Sequence, residues 1–288
     1  MIGNFIGVLF DGVAYGSLLF LMAIGLSVTM GLMNFVNLAH GAFAMVGGYA
    51  CVTIMARAGV PFLAALPIAF VLAAIVGLLL ERTLYQRLYK ATHLDQVLFS
   101  IGLTFMAIAV ATWLYGPQQQ PVLIPAFLKG QVRVLGLDLG VYRLFLIATV
   151  VAITVILTLL LEHTRFGAQI RASVDNAQAS AGLGINVNRV FALTFALGSG
   201  LAGLGGALGI DVLGLDPTFP IKYMVYFLLV VAVGGAGTIR GPLIAALILG
   251  VFDVAGKYYV PQVGAFVIYA LMVVLLLIFP AGLYGRKT

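Results

Sequence analysis

Charge is what this 288-residue chain has least of: 8% Asp, Glu, Lys and Arg against 63% hydrophobic residues, with a mean hydropathy of +1.17. Soluble domains carry about 25% charged residues. So few charges cannot cover a globular surface in water, which excludes a soluble protein with a large core and leaves lipid as the natural solvent. The single cysteine, Cys51, lies in an apolar run. It excludes an internal disulfide and a cysteine-based metal site, and reads as an inert small hydrophobe. The three histidines are scattered, and no metal site is expected. No Gly-x-x-x-x-Gly-Lys-Ser/Thr sequence occurs, so the chain has no P-loop of its own for ATP. Paired carboxylates, His-Glu-x-x-His and Gly-x-Ser-x-Gly are missing as well, and an enzyme is not expected. Asp11 and Asp253 are the only acids inside apolar stretches, whereas proton-coupled transporters place carboxylates near the midplane. Lys and Arg are absent from Met1 to Phe10. A secretory signal starts with basic residues, so the first apolar run is expected to be retained.

Long apolar runs are what the chain does have. A membrane helix needs about 20 apolar residues. Spans are predicted at 5–31, 36–57, 62–80, 96–115, 142–161, 190–210, 223–238, 241–257 and 263–283. The stretch Val233 to Pro242 interrupts 223–257, so eight and nine transmembrane helices are both compatible. The expected fold is an all-α polytopic membrane protein with broken or re-entrant segments. Orientation follows from Lys and Arg, which favour the cytoplasmic side. Arg82, Arg87 and Lys90 mark the connection 81–95, Arg165, Arg171 and Arg189 mark 162–189, and Arg286 and Lys287 mark the tail. These three are predicted cytoplasmic. The proline- and glutamine-containing segment 116–141 is predicted to be an external loop. Nine spans with the N-terminus outside and the C-terminus inside satisfy these placements. The net charge of +6 is spread over span ends and does not suggest nucleic acid.

Segment 162–189 is a polar island that belongs in water or against another protein. Ala168 to Ala181 is alanine-rich and predicted helical, with Asp175 and Asn176 placed to interrupt or cap it and Gly182 and Gly184 to end it. Ile170, Val174 and Ala177 recur at i, i+4, i+7 and give an apolar stripe. Such a helix rests on lipid headgroups or docks into a groove of a partner. A second feature follows Gly31. Asn34, Asn37 and Gly41 stand at i, i+3, i+7 and share a face if helical, with His40 beside them. Buried amides and imidazoles cost several kcal/mol unless partnered. These four residues are therefore expected to face protein, as interhelical polar bonds, or to line a translocation path beside a broken helix. A third feature is glycine. Gly205 and Gly209 form a Gly-x-x-x-Gly, and Gly198, Ala202 and Gly206 form a small-residue ridge for close or moving helix contacts. Gly234, Gly235, Gly237 and Gly241 mark a packing or hinge point.

Two stretches carry a resemblance: Gly31-Leu-Met-Asn-Phe-Val-Asn-Leu-Ala-His-Gly-Ala-Phe43, continuing to Gly47-Gly48-Tyr49, and Phe166-Gly-Ala-Gln-Ile-Arg-Ala-Ser-Val-Asp-Asn-Ala-Gln-Ala-Ser-Ala-Gly-Leu-Gly-Ile-Asn186. Gly234-Gly-Ala-Gly-Thr-Ile-Arg-Gly241 supports them. With these, the chain resembles the permease subunits of bacterial ABC importers for branched-chain amino acids, most closely the shorter of the two permeases. The resemblance covers nearly the whole chain. It implies a single transmembrane permease domain over 1–288, multi-pass in the bacterial cytoplasmic (inner) membrane. It implies a second homologous permease, two cytoplasmic ATPase subunits that bind ATP and magnesium, and an external binding protein that delivers leucine, isoleucine or valine. No cofactor is implied for this chain. The island becomes the coupling element, with Arg171, Ala172, Asp175, Asn176, Leu183, Gly184, Ile185 and Asn186 at the ATPase contact. Two other readings stay open. Permeases for urea or short-chain amides share the same stretches, and an ion-coupled secondary transporter would also have broken spans.

Overall fold

In the computed structural model, residues 2–33, 35–89, 91–122, 124–134 and 136–284 are described. Asn34, Lys90, Arg286 and Lys287, singled out above, lie outside the described residues. The chain begins with α1 (Ile2–Met33), α2 (His40–Ala58), α3 (Phe62–Thr83) and α4 (His93–Tyr115). A short antiparallel hairpin follows, β1 (Gln131–Val134) with β2 (Leu137–Gly140), in the register Gln131↔Gly140. Then come α5 (Val141–His163), α6 (Arg165–Asp175), α7 (Ala177–Gly182), α8 (Val187–Leu213), α9 (Phe219–Gly234), α10 (Arg240–Tyr259) and α11 (Gly264–Ile278). Among the described residues seven helices, α1 to α5, α8 and α10, are long and apolar enough to cross a membrane, while α9 and α11 are shorter. The chain is an all-α polytopic membrane protein, the hairpin apart.

Helix starts are set by polar caps. Thr92 and Asp95 form a reciprocal capping box at α4, and Thr164, Asn176 and Asn186 cap α6, α7 and α8. Each cap satisfies an amide that the helix itself leaves free. Burial sorts the spans. Leu18 to Ile24 in α1 are fully buried on every side, as in a helix at the centre of a bundle. α8 is the other central helix, whereas α4 and α5 turn most of their apolar surface outward.

α1 and α8 run antiparallel: Gly25 meets Gly198, Met22 meets Gly205, and Leu18 meets Gly209. α3 runs along α8 through Gly77 at Ser199 and Ala73 at Gly203. α10 runs along α1 in the matching way, through Gly16 at Leu247 and Gly12 at Val251. The two units α1–α3 and α8–α10 are therefore related by inversion, an arrangement known from membrane transporters. Pro61-Phe-Leu-Ala-Ala-Leu66 opens α3 and Pro242-Leu-Ile-Ala-Ala-Leu247 lies at the start of α10. The molecule has two ends. The hairpin, 59–61, 214–218 and 260–263 form one; 35–39, 84–89, 162–187, 235–239 and 279–284 form the other, called here the island end.

Two expectations change. α1 runs through Gly31 to Met33, so the break lies at 35–39 rather than at Gly31. Residues 35–37 are non-helical, and the shared face expected for Asn37 and Gly41 does not exist. The Asn37 carboxamide accepts the Ala39 N–H at 3.0 Å, a local bond that competes with the helix. The island, in turn, is interrupted at Asn176 as its sequence allowed, and the two resulting helices cut the expected apolar stripe. Asn176 ends α6 and caps α7. Gly167, Ile170 and Ser173 form the buried face of α6, with Val174 half-buried, and Ala177, beyond the break, is exposed.

Candidate functional site

The island is a shelf across one end of the bundle. Thr164 accepts the Gly167 N–H at 3.2 Å, Asn176 the Ala179 N–H at 2.8 Å and Asn186 the Arg189 N–H at 3.0 Å. The polar residues of the island thus build its corners. Gly167 seats α6 on α5, since a Cβ there would lie 2.0 Å from the Leu161 carbonyl oxygen. The Arg171 guanidinium donates to that same carbonyl, a cation at a helix C-terminus. Arg171 therefore ties the shelf to α5 while remaining exposed. Asp175, Asn176, Gly184 and Asn186 are exposed, and Ala172 and Ile185 are half-buried. After α7 the Ile185 N–H reaches back to Ser180 and Gly184 takes φ +85°. Such a helix end leaves Leu183 pointing outward, 83% exposed.

Beneath the shelf lie the end of α1 and the break between α9 and α10. The Gly237 N–H donates to Ser27 O at 3.0 Å, and the Ser27 hydroxyl to Thr238 O at 3.3 Å. Leu283 and Tyr284 N–H groups bond Val233 and Gly234 carbonyls. Gly31 and Gly237 touch backbone to backbone: a Cβ on Gly31 would sit 2.0 Å from Gly237 Cα, and Gly237 has φ +81°. Gly234 and Gly241 cross as closely, whereas Gly205 packs on Met22 and Gly209 packs on side chains alone, those of Leu18 and Leu213. Gly235, at φ +89°, ends α9. A cavity of about 350 Å³ separates the Ile170 face of α6 from Val28, Thr238 and Tyr284. A second, of about 240 Å³, lies between Val174 and Gly31, Ala236 and Gly237.

The polar residues after α1 are buried in protein. His40, 2% exposed, has Nε2 2.9 Å from Met22 O. Its ring meets Phe43 and Phe227 edge-on. Asn37 accepts from the Tyr85 hydroxyl at 2.9 Å. Gly41 lets α2 approach the backbone of Pro220. These bonds join α1, α2, α9 and the Tyr85 turn, and Asn37, His40 and Gly41 line none of the cavities described here.

At the hairpin end a cavity of about 460 Å³ opens between α1, α5, α8, α9, α10 and α11, lined by Tyr15, Tyr223, Tyr226, Asp253, Lys257 and Tyr269 among others. The sequence reading missed it. Tyrosines at 223, 226 and 269 and the Asp253–Lys257 spacing were its only signal, and the helices that bring them together are remote in sequence.

The model of the family described as branched-chain amino acid transport system / permease component matches residues 8–276. The chain belongs to this family. The permease is 28% identical over 291 residues to the high-affinity branched-chain amino acid transport system permease protein BraD of Pseudomonas aeruginosa, covering 96% of this chain and 95% of BraD. It is 28% identical over 298 residues to the high-affinity branched-chain amino acid transport system permease protein LivH of Escherichia coli K12, covering 98% of this chain and 96% of LivH. No solved structure matches the permease significantly. The family is one of transport permeases, which fits a multi-pass membrane chain.

Proposed function

We propose that this chain is a transmembrane permease subunit of an ATP-driven importer for leucine, isoleucine and valine. The observation that carries the reading is the shelf. It presents Leu183, 83% exposed, and a polar rim that is exposed among the described residues at the end of the bundle. In this reading the island end is cytoplasmic and nine helices cross the membrane, N-terminus outside and C-terminus inside. Charge supports that sense. Arg82, Arg87, Arg165, Arg171, Arg189 and Arg240 sit at the island end. Of the six basic residues at the hairpin end, which also include Arg57 and Lys129, Arg133, Arg143, Lys222 and Lys257 are each paired with an acid, while at the island end Arg82 pairs with Glu81. Basic residues favour the cytoplasmic side. The site would then be the bacterial inner membrane.

Two cytoplasmic ATPases would bind ATP with magnesium and press on α6 and α7. The contact would run from Arg171 and Ala172 through Asp175 and Asn176 to Leu183, Gly184, Ile185 and Asn186. The cavities under α6 give the shelf room to move toward Gly31 and Gly237, and so toward the central helix α1. A second permease would complete the path, and an external binding protein would deliver the solute. The substrate reading rests on the branched-chain amino acid transport named for BraD and LivH. The test is leucine uptake by cells expressing all five components, with Asn176→Arg or Gly184→Arg. Uptake and substrate-stimulated ATP hydrolysis should fall while membrane insertion stays intact. Full activity in both variants removes the coupling assignment; a cognate binding protein that holds urea and not leucine removes the substrate.

A further inference from the structure

The cavity at the hairpin end contains an acceptor with nothing to accept. Asp253 is 1% exposed, and its Oδ2 takes the Lys257 ammonium at 2.5 Å. Among the described residues its buried Oδ1 has no hydrogen-bond partner, and the side chain lines the cavity. A buried carboxylate oxygen left unpaired is costly, so its retention calls for a donor that arrives from elsewhere. Aromatic rings surround it. Tyr223 and Tyr226 lie 6.0 Å apart and Tyr226 and Tyr269 6.3 Å apart, centroid to centroid, and the Lys257 ammonium stands 5.7 Å from the Tyr15 ring. Tyrosine faces attract cations, and the chain's own lysine already shows which cation suits this place. The other charges at the rim are matched: Arg143 with Asp11 and Lys222 with Asp216. A hard metal ion needs six or more oxygens, far more than the Asp11 and Asp253 carboxylates and scattered phenols arrange here. The volume is that of a small-molecule site rather than an ion site.

We infer that this cavity is an entry site for the ammonium group of an amino acid, held on Asp253 Oδ1 among Tyr15, Tyr226 and Tyr269. The inference rests on the reading of the chain as an amino-acid permease and adds the chemical group that the permease itself recognises. Lys257 competes for the same carboxylate, so it sets how weakly the solute is held.

The test uses the full permease–ATPase complex in membranes freed of the binding protein. Val254, on the cavity wall, is changed to Cys; the natural Cys51 is buried. A membrane-impermeant maleimide is applied from the side of the external loop, and the labelling rate of V254C is followed with millimolar leucine, isoamylamine or 4-methylpentanoate. Leucine and isoamylamine should slow labelling, and 4-methylpentanoate, which lacks the ammonium, should not. D253N should abolish protection. K257M, which frees the second carboxylate oxygen, should lower the leucine concentration needed by about tenfold. A purely structural ion pair would make D253N and K257M equally harmful. Protection by 4-methylpentanoate, protection that survives D253N, or absence of protection in a complex that imports leucine would each overturn the inference. A complex that imports no leucine at all overturns the functional reading instead.

Discussion

Replacing Leu183 by alanine should uncouple the permease from its ATPases without disturbing its own fold. The backbone at Leu183 is held by its N–H to the Ala179 and Ser180 carbonyls at 3.1 and 3.2 Å. The side chain, 83% exposed, contributes nothing to the chain's own core. Its burial against a partner removes apolar surface from water, and truncation to alanine deletes three carbons at about 0.8 kcal/mol each, or about 2 kcal/mol of docking energy. That is about a 30-fold weaker complex. The assay is titration of the ATPase subunits onto the permease pair in nanodiscs, read as a dissociation constant, with leucine-stimulated ATP hydrolysis measured in parallel. Leu159→Ala serves as control, because Leu159 is exposed on the membrane-spanning surface of α5 instead. L183A should fold and insert normally, and only its affinity and stimulation should drop. An affinity within about twofold of wild type would refute the docking role of this leucine, since truncation of a buried anchor has to cost more than that.

Two further outcomes concern stability. Gly31→Val places side-chain atoms into the Gly237 backbone and should cost about 1–3 kcal/mol, seen as a lower thermal midpoint in detergent, whereas Gly102→Ala, with open space around it, should leave the midpoint unchanged; equal midpoints would contradict the close approach. Asp216, in the loop before α9, is partly buried, which raises its pKa, but the Thr218 hydroxyl and N–H and the Lys222 ammonium outweigh this and hold the carboxyl below its usual range. A depressed folded pKa contributes stability that is complete above the unfolded value of about 3.9 and is lost as the pH falls through the folded one. The thermal midpoint should therefore hold from pH 7 to about 5 and fall in stronger acid, and Asp216→Asn should lower it at pH 7 and flatten the acid limb; superimposable curves would exclude this contribution.

The sequence was most legible where one physical signal dominates. Apolar length located the long helices, seven of them long and apolar enough to cross a membrane among the described residues, because a helix in lipid must bond its own backbone. Glycine and asparagine located the island's ends, although Asn176 divides it into two helices. The break after α1 was misplaced, since Gly31 allows close approach to Gly237 and does not end the helix. Asn37 and His40 were correctly marked as needing partners. Which partners they take, Tyr85 and the Met22 carbonyl, depends on helix packing that no local pattern carries. The Asp253 cavity was invisible for the same reason: its walls come from six helices spread from Asp11 to Tyr269.

The bare contact between Gly31 and Gly237 has a mechanical meaning. Where side chains separate two helices, a displacement of one is partly absorbed as rotamers readjust, and the joint has slack. Here main chain rests on main chain, with the Gly237 N–H bonded to Ser27 O across the joint. Under the proposed coupling, a shelf that has closed over the cavities beneath α6 would pass its push on the 235–239 loop to α1 with little loss, as through a rigid bearing, and α1 is a helix around which the bundle is built.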